Sequence, residues 1–166
     1  MCDFILENID ADPCPNPAGV VPTLKITDVL QVASIGAAVD HVAGTITLKS
    51  GSPGGKAKTF KGIRIDADCK TTQNDDGTYT TEGVLFIPRQ SATKAKFLNS
   101  LGKSEAHILE VPMKNGERVL LGGLDHACKV FCDAETKPNN GYRLRYRWEE
   151  HADMPLHLTG AGIPAS

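Results

Sequence analysis

Aromatic side chains are scarce in this 166-residue chain, at 5% with a single Trp, so its interior must be filled by aliphatic groups. Long apolar runs are missing too. None approaches the roughly 18 residues that a membrane-spanning helix requires, and no membrane partner is expected. The opening residues Met-Cys-Asp-Phe-Ile-Leu-Glu-Asn lack the basic region and apolar stretch of an export leader, so a soluble protein made in a cytoplasm is expected. A large excess of charge of one sign is absent: a formal net charge of −2 gives no reason for broad attraction to nucleic acid or anionic lipid. The cysteines are neither dense nor even in number. Cys2, Cys14, Cys69, Cys128 and Cys132 read as reduced thiols, several of them buried, which suits an intracellular assembly site.

What the chain does have is turn residues. Sixteen Gly and ten Pro predict many turns and short strands, and 40% hydrophobic with 23% charged residues is a globular balance. The length suits one structural domain, 1–166. Residues 1–22 form a turn-rich N-terminal arm in which Pro13, Pro15 and Pro17 prevent a helix or a central strand. The stretches 24–27 and 44–49 show the period of two of half-buried strands, while 28–42 shows no clear period. Residues 50–56 form a Gly-rich loop.

A hairpin is predicted next. Its first strand, 60–70, places Ile63, Ile65, Ala67 and Cys69 on one face and Arg64, Asp66, Asp68 and Lys70 on the other. Asn74-Asp75-Asp76-Gly77 makes the turn, and 79–88 returns. A helix then begins at a Ser91 cap, places Ala92, Ala95, Phe97, Leu98 and Leu101 at apolar positions and ends at Gly102. Strands at 106–111 and 118–121 are joined through Asn115-Gly116, and 127–131 pairs with 142–149. In the last strand Tyr142, Leu144, Tyr146 and Trp148 alternate with Arg143, Arg145, Arg147 and Glu149. The sum is a mainly β protein: a β-sandwich or barrel of about eight strands with one flanking α-helix.

No catalytic signature survives inspection, so no enzyme and no cofactor are expected. The Gly-rich loop departs from a phosphate-binding loop at Ser50, at Ala57 after the Gly-Lys pair, and in leading to a strand. His126, Cys128 and Cys132 would share a strand face, but the two cysteines would lie roughly 13 Å apart at about 3.3 Å per residue, too far for one metal ion. Asp125-His126 has no nucleophile elbow to serve. Asp66 and Asp68 share a face that is either solvated or lines a channel. The Arg143/Arg145/Arg147 row is the sharpest surface feature: like charges on one strand repel, so they want anionic partners. The acidic face of a neighbouring subunit would supply them, and equally an outer strand of Arg would simply resist edge-to-edge aggregation.

The order of C-terminal elements resembles a known group. Asn115-Gly116-Glu117-Arg118-Val119-Leu120-Leu121-Gly122-Gly123-Leu124-Asp125-His126-Ala127, then a hairpin, then Gly141-Tyr142-Arg143-Leu144-Arg145-Tyr146-Arg147-Trp148, together with the turn Cys14 to Gly19, is similar to tail (tube) proteins of Bacteroidetes phages and prophages. That resemblance implies a virion structural protein, a major tail tube subunit assembled in the host bacterial cytoplasm. Its hexameric rings would stack, bind other tail proteins and conduct genomic DNA through the lumen without specific binding. It makes Asp66 and Asp68 lumen candidates. Arg143, Arg145, Arg147, Pro13, Pro15, Pro17 and Lys56 become intersubunit candidates. A head–tail connector, a terminator or a capsid decoration protein would share fold type and size. From another class, a monomeric β-sandwich ligand-binding module would need an exposed aromatic platform.

Overall fold

The computed structural model describes residues 19–50, 58–62, 67–103 and 106–164. Pro13, Pro15, Pro17, Lys56, Asp66, Ile63, Ile65, Cys2 and Cys14, and with them most of the expected arm and loop, lie outside the described residues.

Among the described residues, eleven strands and one helix follow one another: β1 (Thr23–Asp28), a single 3-10 turn (Val29–Gln31), β2 (Val32–Ile35), β3 (Ile46–Leu48), β4 (Lys58–Lys61), β5 (Asp68–Gln73), β6 (Tyr79–Pro88), α1 (Ala92–Lys103), β7 (His107–Pro112), β8 (Arg118–Leu121), β9 (Lys129–Glu135), β10 (Gly141–His151) and β11 (Leu156–His157). They build a five-stranded sheet in the order β11-β8-β7-β1-β4, a four-stranded sheet in the order β5-β6-β10-β9, and the pair β2-β3. Every strand pairing is antiparallel. The fold is therefore a mainly β sandwich with one flanking helix.

The main core lies between the two large sheets. Leu24, Ile26, Leu109, Val111, Val119 and Leu121 face Leu85, Ile87, Val130, Leu144 and Tyr146, and Leu98 of α1 closes one side. A second core forms on the back of the five-stranded sheet, where Ile108 and Leu120 meet Val32, Ile46, Leu158 and Ile163. Strands β7 and β8 are thus covered on both faces, which is why His107–Val111 reads as an unbroken buried run rather than an alternation.

One expected strand divides. The stretch 60–70 does not run as a single strand: β4 pairs with β1 in one sheet and β5 with β6 in the other. Period-two alternation is the same whichever sheet a strand joins, so the sequence cannot mark the crossing. Gly62 directly follows β4, where a Cβ would collide with the Phe86 carbonyl and the Leu85 side chain. The helix also overruns its expected stop. Ser91 Oγ does accept from the Lys94 amide, but Gly102 lies inside the last turn and Lys103 ends it.

Candidate functional site

The outer face of the four-stranded sheet carries the arginine row. Inward alternation buries Tyr142, Leu144 and Tyr146, which forces Arg143, Arg145 and Arg147 outward. Each meets a carboxylate from a neighbouring strand of the same chain. Arg143 reaches Glu135 at 3.0 Å and Arg145 reaches Asp133 at 2.8 Å, both on β9. Arg147 bridges Glu82 on β6 at 2.8 Å and Glu149 at 3.0 Å. The anions that the row calls for are thus supplied laterally, by partners that spacing along one strand does not reveal. Arg145 also lies 5.4 Å from the exposed Phe131 ring, and Arg143 lies 5.7 Å from the fully buried Phe86 ring.

Asp68 stands at the border of this face. It lines a shallow hollow of about 420 Å³ with Lys70, Glu82, Val84, Phe131, Arg145 and Arg147. The surroundings of this lumen candidate are therefore mixed in sign. Among the described residues, five cations (Lys70, Lys129, Arg143, Arg145, Arg147) and five carboxylates (Asp68, Glu82, Asp133, Glu135, Glu149) alternate across the sheet.

At the end of the same sheet the rings gather. Trp148 and His151 stack at 3.8 Å between centroids, and Tyr79 lies 6.1 Å beyond His151. The His151 Nδ1–H donates to the Asp153 carbonyl, which leaves Nε2 to accept from the Thr81 hydroxyl at 3.0 Å, and Thr71 bonds Thr81 at 2.8 Å. Burial holds the His151 imidazole below the usual histidine range, partly offset by the Asp153 contact. Glu150 makes room for this arrangement with φ 51° at a bulge in β10.

The three described thiols are held in their protonated form by burial. Burial pushes Cys128 up to about 12 and Cys132 up to about 11, and raises Cys69 as well. Among the described residues no group of three His, Cys, Asp or Glu could hold a metal ion, and Cys69, Cys128 and Cys132 are free.

A third feature was not anticipated: a cleft of about 310 Å³ between α1 and the end of the five-stranded sheet. Phe97, Ser100 and Leu101 form its helical wall, and Ile26, Thr27, Lys58 and Phe60 the sheet wall, with Asp28 and Gln31 at one end. Phe97 is 56% exposed. Thr27 Oγ1 and Gln31 Oε1 are shut off from solvent with no hydrogen-bond partner among the described residues. β4, which borders the cleft, is the outermost strand of its sheet among the described residues.

No family model matches the chain, and no match is found among curated proteins or solved structures. No helix of the described residues is long and apolar enough to cross a membrane.

Proposed function

We propose that this chain is a virion structural protein, a tail tube subunit that assembles into stacked hexameric rings. One observation carries the reading: a helix-flanked β-sandwich whose outer strands β4 and β5 each have one edge unpaired among the described residues. An unpaired edge offers a row of backbone donors and acceptors, and ring closure is one way a protein satisfies it. Both edges are polar and carry lysines, Lys58 and Lys61 on β4 and Lys70 on β5. They therefore favour a matched partner over indiscriminate aggregation.

The outer face of the four-stranded sheet suits a DNA conduit. Equal numbers of cations and carboxylates, with all three arginines already paired, offer a duplex no net counterion release on contact. In this reading Asp68 faces the lumen, and charge reversal of Asp66 and Asp68 together impairs DNA ejection while tubes stay intact. Unchanged infectivity would remove both from the lumen.

Negative-stain electron microscopy of the purified protein, run with its mass in solution, tests the assembly. Open rings or tubes are the expected result. A dispersed monomer at high concentration moves the reading toward a decoration or ligand-binding module, and a single closed ring that never stacks toward a connector or terminator.

A further inference from the structure

Charge is unevenly divided along this chain. Of its twenty carboxylates, Asp3, Glu7, Asp10 and Asp12 fall within residues 1–18, where there is no Lys or Arg. The same segment holds Phe4-Ile5-Leu6, flanked by Asp3 and Glu7, so in an extended conformation Phe4 and Leu6 share one face. The region around α1 is its complement. From Arg89 to Lys103 there are four cations and no carboxylate, and Lys58 stands across the cleft on β4. Among the described residues no ion pair engages Lys58, Lys61, Lys96 or Lys103, in contrast to the arginine row.

We infer that the cleft between α1 and the edge strand β4 is the seat of the acidic N-terminal segment of a second copy of this chain. The segment would add to β4 as a further strand. Phe4 and Leu6 would fill the space between Phe60, Phe97 and Leu101, and Asp3 and Glu7 would meet the lysines at the rim. A strand laid beside β4 pairs the edge that is open among the described residues and covers Phe97. The assembly reading, in which copies meet at strand edges, assigns the segment to a second copy. The chain enters the five-stranded sheet at Gly19 and Val20, which bond Lys114 and Met113 beside the β7–β8 turn. The cleft lies at the other end of β1, by Asp28 and His107. Six residues of β1 at about 3.3 Å each separate the two ends by roughly 20 Å, a span within reach of either copy's segment, so the isotope pairing below identifies the donor. Donating at one end and accepting at the other is a head-to-tail contact, the kind that closes into a ring, so the segment is what pairs the β4 edge in that closure. The inference rests on the assembly reading above and names the contact between successive copies.

The test uses the full chain. Equal amounts of ¹⁴N- and ¹⁵N-labelled protein are mixed and treated with a zero-length carbodiimide, which joins only carboxylates and amines in contact. Peptide mass spectrometry then locates the links. The expected result is that links from Asp3, Glu7, Asp10 or Asp12 go to Lys58, Lys61, Lys96 or Lys103 at least about tenfold more often than to Lys25, Lys114 or Lys129, in mixed-isotope pairs. They should fade in 0.5 M salt, as exposed ion pairs do. A Lys96→Glu/Lys103→Glu variant, with both positions exposed, should lose them, and Asp3→Lys/Glu7→Lys should restore them in that variant. Evenly scattered links, or links within one isotope only, would overturn the inference. Rings or tubes without these links would retire the seat and leave the assembly reading standing. Mixed-isotope links without rings would do the reverse.

Discussion

Glu110 is the carboxylate on which the C-terminal segment rests, and removing its charge is the sharpest test of how this fold is held. It lies on β7 at 4% exposure, with Arg118 Nη1 at 2.9 Å, Lys25 Nζ at 3.5 Å and the Ile163 amide at 2.8 Å. Lys25 also donates to the Ile163 carbonyl at 3.0 Å, and Arg118 to the Gly160 carbonyl. Glu110→Gln leaves two cations facing an amide. Breaking a buried pair by removing one partner costs about 3–5 kcal/mol. The two cations are a quarter or less exposed and each keeps a backbone acceptor, so the lower end applies, about 3 kcal/mol. Urea unfolding at pH 7 reads that loss as a lowered midpoint at unchanged slope. Hydrogen exchange at Leu158 and Ile163 should accelerate with it, because both are packed in the second core beneath the segment. A loss under about 1 kcal/mol, or unchanged protection of 158–163, would refute the reasoning.

Three further outcomes are expected. Gly83 lies opposite Tyr146, and a Cβ there would enter the Tyr146 ring, so Gly83→Ala should destabilise by about 1–3 kcal/mol or more through overpacking; a neutral result in chemical denaturation would show that the ring moves freely. The lowered pKa of His151 means the unfolded chain takes up a proton first, so stability is full above the ordinary histidine value and falls as the pH drops from about 6.5 through the folded value. His151→Gln should flatten that part of the stability–pH curve, and an unchanged curve would remove His151 as its source. Iodoacetamide at neutral pH should spare Cys128 and Cys132 in the native protein and label both in urea, as their raised thiols and burial require; native labelling of Cys128 would contradict the packed core.

The hairpins are legible because their turns carry the chemistry of the turn itself. Asn115 Oδ1 accepts from the Glu117 amide and Gly116 takes φ 90°, while Asp76 accepts from both the amide and the hydroxyl of Thr78 beside Gly77 at φ 88°. The alternation of β10 is legible for the same local reason. What escapes is whatever depends on a partner distant in sequence. Phe86 faces outward in the alternation of β6 and yet is fully buried, under a chain that passes close at Gly141 and beside Arg143. Leu158 and Ile163 complete the second core, but among Gly and Pro they show no period that would mark them as core.

The same distinction decides which surface charges are available to another molecule. A row of three arginines reads from sequence either as a demand for anions or as an outer strand that resists aggregation. Across the sheet the arginines meet Glu135, Asp133, Glu82 and Glu149 within the chain, so their field is spent locally. Arg145 and Asp133 are each 51% exposed, and such a pair contributes about 0.2–1 kcal/mol. Arg145→Gln should therefore change unfolding by less than about 1 kcal/mol and leave the salt dependence of self-association as it was. Lys96 carries an equal charge with no such partner among the described residues, and Lys96→Gln should lower that salt dependence measurably. The two neutralisations remove the same formal charge, so light scattering of both variants across a salt series separates them. Equal effects would mean that lateral pairing does not govern which charges recruit a partner.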